Sequence, residues 1–217
     1  MRIHTGLKLL LACLAVHAAQ SASAFVVDTG PGESSGGSAA SLFDSRPQQL
    51  AFQQLAAQFT VTETSQVESV AGWMYWSATG SLSFAIHSDV FASATPGGVL
   101  YSTVAVIEET GSSPDWRGVT GLNWSLTPGQ YWLVFSDVAG DSSQGSMPSG
   151  AALPLLGYAF DSNASNGWVR TPSPFLDFGV RINVPIPEPS TAVLMLAGVA
   201  ALVARLRRRG VNAFGIL

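Results

Sequence analysis

The chain has 217 residues, of which 47% are hydrophobic and only 11% charged, so it can bury the core of one domain of ordinary size. Between residues 25 and 187, four arginines and no lysine stand against thirteen Asp or Glu residues, which gives this body a formal charge of −9. A body this acidic repels phosphate backbones, which excludes nucleic acid as a partner. The single cysteine, Cys13, lies near the N-terminus, so the body has neither a disulfide nor thiol chemistry.

The N-terminus has the three parts of a secretory signal peptide. Two basic residues precede the apolar run LLLACLAVHAA, and Ala22 and Ala24 then form the small-x-small pattern that signal peptidase recognises. We therefore predict a signal peptide over residues 1–24 and a mature protein that begins at residue 25. The alternative is acylation of Cys13, since the stretch LLAC is similar to a lipoprotein signal.

The next segment, residues 25–42, contains the stretch TGPGESSGGSAAS and few bulky apolar side chains, which predicts a flexible leader. From residue 43 to residue 184, short runs rich in Val, Phe, Tyr, Trp and Thr alternate with Gly, Ser, Pro and Asp, and no run has a convincing helical length. This spacing is typical of an all-β domain, an antiparallel two-sheet β-sandwich that is jelly-roll-like. The predicted strands are Leu50–Gln54, Ala57–Thr62, Gln66–Ser77, Leu82–Ser88, Val99–Glu108, Val119–Leu126, Gln130–Asp137, Gly157–Asp161, Gly167–Arg170 and Phe175–Asn183.

Two of the predicted strands show the period of two that is expected where a sheet packs on a core. In SLSFAIHS, the side chains of Leu82, Phe84 and Ile86 face one way and that of His87 faces the other. In GQYWLVFSD, both alternating faces are apolar, with Leu133 as one example. The second pattern predicts a central strand of the sandwich.

The body offers little for catalysis or metal binding. His87 is its only histidine, and no Gly-x-Ser-x-Gly elbow accompanies it, so we interpret it as a surface residue and the body as non-enzymatic, with a hydrolase as the alternative. There is no second histidine for zinc and no Gly-rich loop followed by lysine for phosphate. Asp161 and Asn163 in DSNASNG have the alternate spacing of a calcium loop without its terminal glutamate. We expect no cofactor, calcium being the alternative.

The six tryptophans are the remaining candidates for binding. Trp116 and Trp168 lie in turn-like sequence, where an exposed indole can stack on a sugar ring. A carbohydrate-binding module that uses these two residues is therefore one hypothesis. Its alternative is that all six indoles pack, because tryptophan is highly buried on average. The other four look like core or core-edge residues: Trp73, Trp76, Trp124 and Trp132.

The C-terminal segment has three ordered parts. Pro187, Glu188 and Pro189 are followed by Ser190–Ala204, an uncharged and mostly apolar run that predicts a short transmembrane helix of about 22 Å. An arginine cluster comes next and, by the positive-inside rule, lies in the cytoplasm with the body outside. The cluster consists of Arg205, Arg207, Arg208 and Arg209.

These parts, over residues 185–217, resemble the PEP-CTERM sorting signal of exopolysaccharide-producing Gram-negative bacteria. The resemblance implies recognition by an exosortase, a membrane transpeptidase-like enzyme that cuts near the Pro-Glu-Pro and releases or transfers the body to the cell surface or its polysaccharide. The tail GVNAFGIL departs from the family pattern, in which chains usually stop soon after the arginines.

The body is similar to the secreted domains called "choice-of-anchor", through QFTVT at Gln58–Thr62, SFAIHSD at Ser83–Asp89 and PGQYWL at Pro128–Leu133. This resemblance implies a β-sandwich and says nothing of a ligand. We therefore expect an exported protein, transiently anchored in the membrane and then located at the cell surface or in the extracellular biofilm matrix. Its sandwich is expected to be structural or adhesive, with exosortase as a partner and exopolysaccharide as a further candidate.

Overall fold

A computed structural model describes residues 23–33, 39–41, 43–44, 51–138, 145–155, 157–161, 167–171 and 176–185. Ala24–Pro185 form one compact unit, separate from the unit that holds Met1–Ser23 and Ile186–Leu217. All regular structure in the described residues is β-strand. The strands are β1 (Ser23–Asp28), β2 (Ala39–Ser41), β3 (Phe43–Asp44), β4 (Ala51–Phe52), β5 (Gln54–Val61), β6 (Ser65–Trp76), β7 (Gly80–Val90), β8 (Thr95–Ile107), β9 (Asp115–Leu126), β10 (Gly129–Asp137), β11 (Gly145–Pro148), β12 (Tyr158–Asp161), β13 (Val169–Thr171) and β14 (Val180–Pro185).

One sheet, which we call sheet I, is built on the long strand β6. Strands β14 and β9 both pair antiparallel with β6, so Val70 has Ile182 and Val119 as its two cross-strand neighbours. Strand β11 pairs with the last two residues of β6, and the short strands β1 and β2 extend the sheet beyond β14 and β11. Sheet I therefore has β9 at one edge.

The second sheet, sheet II, has the order β13-β12-β5-β10-β7-β8, and every pairing in it is antiparallel. A separate two-residue pairing joins β3 and β4. The prediction of an all-β chain with two antiparallel sheets is confirmed. Strand β10 lies inside sheet II between β5 and β7, as its two apolar faces predicted.

The main core lies between the two sheets. Phe135 of β10 makes edge-to-face contacts with Phe84 of β7 at 5.6 Å and with Phe178 at 6.0 Å between ring centroids. Leu82, Phe84 and Ile86 all belong to this core. The alternation of apolar residues along β7 therefore predicted correctly which side chains of the strand are buried between the sheets. Other buried members are Leu55, Phe59, Val67, Val70, Met74, Trp76, Leu133, Tyr158, Val180 and Ile182.

Two strands overlap the predicted leader: β1 (Ser23–Asp28) at its start and β2 (Ala39–Ser41) near its end. Strand β1 pairs with β14, and Val27 and Thr29 are buried. The Thr29 hydroxyl accepts a hydrogen bond from the backbone N–H of Val180 at 2.8 Å. This contact joins the segment that follows β1 to a residue some 150 positions further along the chain. Ala24 of the predicted peptidase site lies in β1, whereas Ala22 lies outside the described residues.

Candidate functional site

A row of polar and aromatic side chains crosses the outer face of sheet II. In the strand register, Trp132 of β10 is opposite Gln58 of β5 on one side and opposite His87 of β7 on the other. Side chains directly opposite each other on antiparallel strands share a face, so these three project from the same side of the sheet. Asp89 lies two residues beyond His87 and joins them, because the side-chain period of a strand is two.

The Asp89 carboxylate organises this row. Its Oδ1 accepts a hydrogen bond from Trp132 Nε1 at 2.6 Å and another from Gln58 Nε2 at 2.9 Å. The Trp132 side chain is fully buried, so its N–H needs an acceptor inside the protein. These charge-assisted bonds hold the indole and the Gln58 amide in one orientation.

The orientation of Gln58 directs its carbonyl oxygen toward β12 and β13. A Cβ atom built at Gly157 would lie only 2.6 Å from Gln58 Oε1 and 3.4 Å from an Nη of Arg170, so any larger residue at position 157 would displace the Gln58 amide. Arg170 itself is exposed. The outer face thus presents an oriented amide carbonyl beside an exposed guanidinium, which is a donor and acceptor pair for a polar ligand.

His87 lies on the outer face of sheet II, away from Leu82, Phe84 and Ile86, and is half-buried there. Its Nδ1 lies 2.9 Å from the carbonyl oxygen of Gly97, which can only accept, so Nδ1 carries the hydrogen and Nε2 is left as an acceptor. Burial lowers the pKa of His87, and the bond to Gly97 offsets part of that shift. The imidazole meets the ring of Trp168 edge to face, with centroids 6.3 Å apart.

Trp168 lies over a floor of small side chains on the same outer face. It is partly buried and packs against a cluster that is separate from the main core. The small side chains leave room for the indole above the sheet while part of it stays in contact with solvent. The small side chains are those of Ala56, Ala85, Val134 and Ala159, and the large indole of Trp132 completes the cluster.

Trp116 lies elsewhere, on the outer face of sheet I. It is opposite Trp73 in the β6–β9 register and packs against that indole edge to face at 5.5 Å. The guanidinium of Arg181 covers its ring, with Cζ 3.9 Å from the centroid, and Arg181 also forms an ion pair with Asp28 at 3.2 Å. The two candidate sugar-stacking residues, Trp116 and Trp168, therefore lie on opposite outer faces and cannot stack on one sugar ring.

The other predicted site residues are not brought together. Asp161 is buried at the end of β12, and Asn163 lies outside the described residues. Within the part of the chain that the structure describes, no three His, Cys, Asp or Glu side chains converge as metal ligands would. Sequence reasoning missed Gln58 and Arg170. The alternation in QFTVT predicts that Gln58 and Phe59 point to opposite faces of their sheet. Only the pairing of β5 with β10 shows that Gln58 lies beside Trp132.

One family model matches the chain. Residues 185–209 match the PEP-CTERM protein-sorting motif, so the predicted exosortase signal is confirmed and the chain is an exported protein sorted to the cell envelope or surface. The match begins at Pro185, the last residue of β14. No curated protein and no solved structure matches the chain. The likeness of the body to choice-of-anchor domains stays a prediction.

The residues of the sorting signal lie outside the described residues. They are Pro187, Glu188, Pro189, Arg205, Arg207, Arg208 and Arg209, together with the predicted helix Ser190–Ala204. The described residues themselves form no helix with the length and apolar character needed to span a membrane.

Proposed function

We propose that the β-sandwich is a non-catalytic, structural or adhesive component of the cell surface or of the extracellular polysaccharide matrix, delivered there when an exosortase cuts the chain near Pro187–Pro189. The observation that carries the proposal is the position of the sorting motif directly after β14. The fourteen strands of the described residues lie between Ser23 and Pro185, so a cut at the Pro-Glu-Pro removes none of these strands. The sandwich is therefore a part that can be released intact.

The segment after the sandwich suits a temporary anchor. A short apolar span followed by arginines holds the chain at the membrane, and the two prolines keep the peptide before it extended for an active site. The strongly acidic body has no electrostatic attraction to anionic lipid or to nucleic acid once it is released. These features support a protein that passes through a membrane-bound state and ends outside the cell.

The contacts of His87 support a non-catalytic body. In a Ser-His-Asp arrangement the carboxylate accepts a hydrogen bond from one ring nitrogen of the histidine. Here the Nδ1 hydrogen of His87 is directed to the Gly97 carbonyl, and the nearby Asp89 Oδ1 is shared by Trp132 and Gln58. These contacts are those of a side chain held in place, which supports the proposal of a non-catalytic body.

Mass spectrometry of both termini of the protein recovered from the cell surface and the medium tests this proposal. We expect a chain that starts at residue 25 and ends near Pro187. A matched variant with Pro187, Glu188 and Pro189 all changed to Ala should stay uncut in the membrane fraction. Wild-type protein that is intact through Leu217 would overturn the sorting step.

A second candidate function is carbohydrate binding on the outer face of sheet II. The observation that favours it is the partly accessible Trp168 indole on its small-residue floor, near the oriented carbonyl of Gln58 and the exposed Arg170. An aromatic ring with a few convergent polar groups is the usual composition of a sugar site. This candidate uses Trp168 and leaves out Trp116, whose ring is covered by Arg181.

Affinity electrophoresis in a gel that contains the exopolysaccharide of the producing cells separates the two candidates. If the second is correct, the wild-type body is retarded, Trp168→Ala migrates freely, and the control Trp116→Ala behaves as wild type. Free migration of the wild type, or equal effects of the two substitutions, would reject carbohydrate binding at Trp168. The structural or adhesive role would then be the one candidate left of the two.

A further inference from the structure

The tip of the β7–β8 hairpin holds an aromatic side chain in solvent. Phe91 is 93% exposed and its neighbour Val90 is 42% exposed. A phenylalanine carries about 150–250 Å² of mostly apolar surface, so nearly all of this ring lies in water. Further apolar surface continues from the tip along the edge strand β8, at the exposed residues Val99 and Leu100.

Local hydrogen bonds close the turn that carries Phe91. The carbonyl oxygen of Val90 accepts hydrogen bonds from the backbone N–H groups of Ser93 at 3.0 Å and Ala94 at 2.7 Å. The Ser93 and Thr95 hydroxyls are 2.7 Å apart, which closes the turn a second time. Ala94 has φ 47°, a left-handed conformation that costs about 1–2 kcal/mol for a residue with a Cβ. The turn is therefore a closed, locally strained structure that presents the ring outward.

The hairpin tip lies at the end of sheet II where β5 ends and β10 begins. Ser88, near the end of β7, is opposite Tyr131, near the start of β10. Gly129, the first residue of β10, is opposite Val61, the last residue of β5. The tip and the end of β5 are therefore at the same end of the sandwich.

The chain leaves the sandwich at this same end. A short turn joins Val61 to Ser65, the first residue of β6 in sheet I. Strand β14 runs antiparallel to β6, with Asn183 opposite Ser69, so its last residues run toward the start of β6. Pro185, where the sorting motif begins, is thus at the end of the sandwich that carries Phe91.

We propose that this hairpin tip, with Phe91 at its apex, rests in the interfacial layer of the lipid bilayer while the chain is still held by its C-terminal segment. The inference depends on the membrane-anchored stage of the proposed function. The sorting motif begins at the end of the sandwich that carries the apolar tip, and this is the reason for proposing a lipid surface as the partner of the tip. The contact would set the orientation of the body and the height of the Pro-Glu-Pro peptide above the membrane.

The charges at this end fit a neutral lipid surface. In the described turns here, between β5 and β6, β7 and β8, and β9 and β10, Glu63 is the one charged residue. The contact is therefore apolar and does not depend on anionic headgroups. One phenylalanine side chain gives roughly a ten- to hundredfold preference for an apolar environment, which is too little to hold the body after the cut. Cleavage would release the tip together with the body.

Site-specific fluorescence on the full chain tests the proposal. In a Cys13→Ser background, a polarity-sensitive dye is attached at Ala92→Cys beside the tip or, as a matched control, at Ser112→Cys in the β8–β9 loop. That loop lies at the other end of the sandwich, since Ile107 pairs with Gly80 and Asp115 with Met74. The labelled chains are reconstituted into phosphatidylcholine vesicles, and a lipid-borne quencher reports contact.

We expect the label at Ala92→Cys to shift to shorter wavelength and to be quenched by lipid, while the label at Ser112→Cys stays water-like. Adding Phe91→Ser to Ala92→Cys should lower the lipid-contacting fraction roughly tenfold, because the apolar ring is lost. The near-ultraviolet circular dichroism of this variant should match that of the parent, which shows that the fold is kept.

Three results would overturn the inference. In chains that resist carbonate extraction, the C-terminal segment is inserted in the bilayer. If the dye at Ala92→Cys in these chains emits as it does in water, the tip does not touch lipid. A shift that depends on the protein-to-lipid ratio means that a second copy covers the tip. Chains that do not associate with vesicles would show that the tip makes no lipid contact. Cleavage at the sorting signal is tested separately, by mass spectrometry of the termini.

Discussion

Replacing Trp132 with Phe removes the strongest polar contact on the outer face of sheet II. The Nε1–H of Trp132 donates to the Asp89 carboxylate at 2.6 Å, and phenylalanine has no such donor. A hydrogen bond to a charged group is worth about 1.5–3 kcal/mol. The Trp132 side chain is fully buried, so the smaller ring also leaves a void that costs about 1 kcal/mol. We expect Trp132→Phe to lower the free energy of unfolding by about 2–4 kcal/mol.

A double-mutant cycle in urea separates the hydrogen bond from the void. Asp89→Ala is measured alone and together with Trp132→Phe, and the coupling energy should be about 1.5–3 kcal/mol, because the second substitution finds the bond already broken. The control pair is Trp132→Phe with Asp115→Ala, which lies at the far end of sheet I and should be additive to within about 0.5 kcal/mol. Additivity in the Asp89 cycle as well would refute the reasoning.

Three further predictions concern pH and the outer face of sheet I. Burial lowers the pKa of His87 below its ordinary value of 6.5, so the folded chain binds fewer protons than the unfolded one and the stability should fall as the pH drops below 6.5. In His87→Gln the urea midpoint of unfolding should depend less on pH in that range. An unchanged pH dependence would contradict the lowered pKa of His87. Burial raises the pKa of Tyr158 from 10.0 to about 12, so stability should be lost as the pH rises from 10 toward 12, and alkaline titrations of Tyr158→Phe should lack this loss. Arg181→Ala removes the guanidinium from the Trp116 ring and should cost about 1–2 kcal/mol in urea, whereas a midpoint equal to the wild type would show that the stacking contributes nothing.

Local patterns in the sequence were sufficient for the architecture. The alternation of Leu82, Phe84 and Ile86 is a property of one strand, because successive side chains point to opposite faces whatever the partner is. The two apolar faces of β10 likewise predicted a central strand, and the structure places β10 between β5 and β7. The sorting motif is also local, since the family model matches one continuous stretch, residues 185–209.

Long-range pairing explains what the sequence did not predict. The short apolar run around Val27 belongs to β1 because β14 offers it a free edge, and nothing near Val27 in the chain indicates that edge. Trp116 lies in turn-like sequence that left both exposure and packing open, and Arg181 covers its ring from a strand 65 positions later. Both outcomes depend on which strands become neighbours, and that choice leaves no mark on a single sequence.

The sequence by itself determined that this chain is an exported all-β protein with a C-terminal sorting signal, because strand period, composition and a linear recognition motif can all be read without knowing any contact. Only the tertiary structure decided that Gln58, His87 and Trp132 stand in one row and that Trp168 lies on their face while Trp116 lies on the other. The reason is physical: cross-strand hydrogen bonds join residues that are far apart in the chain, and the register of those bonds sets which side chains meet.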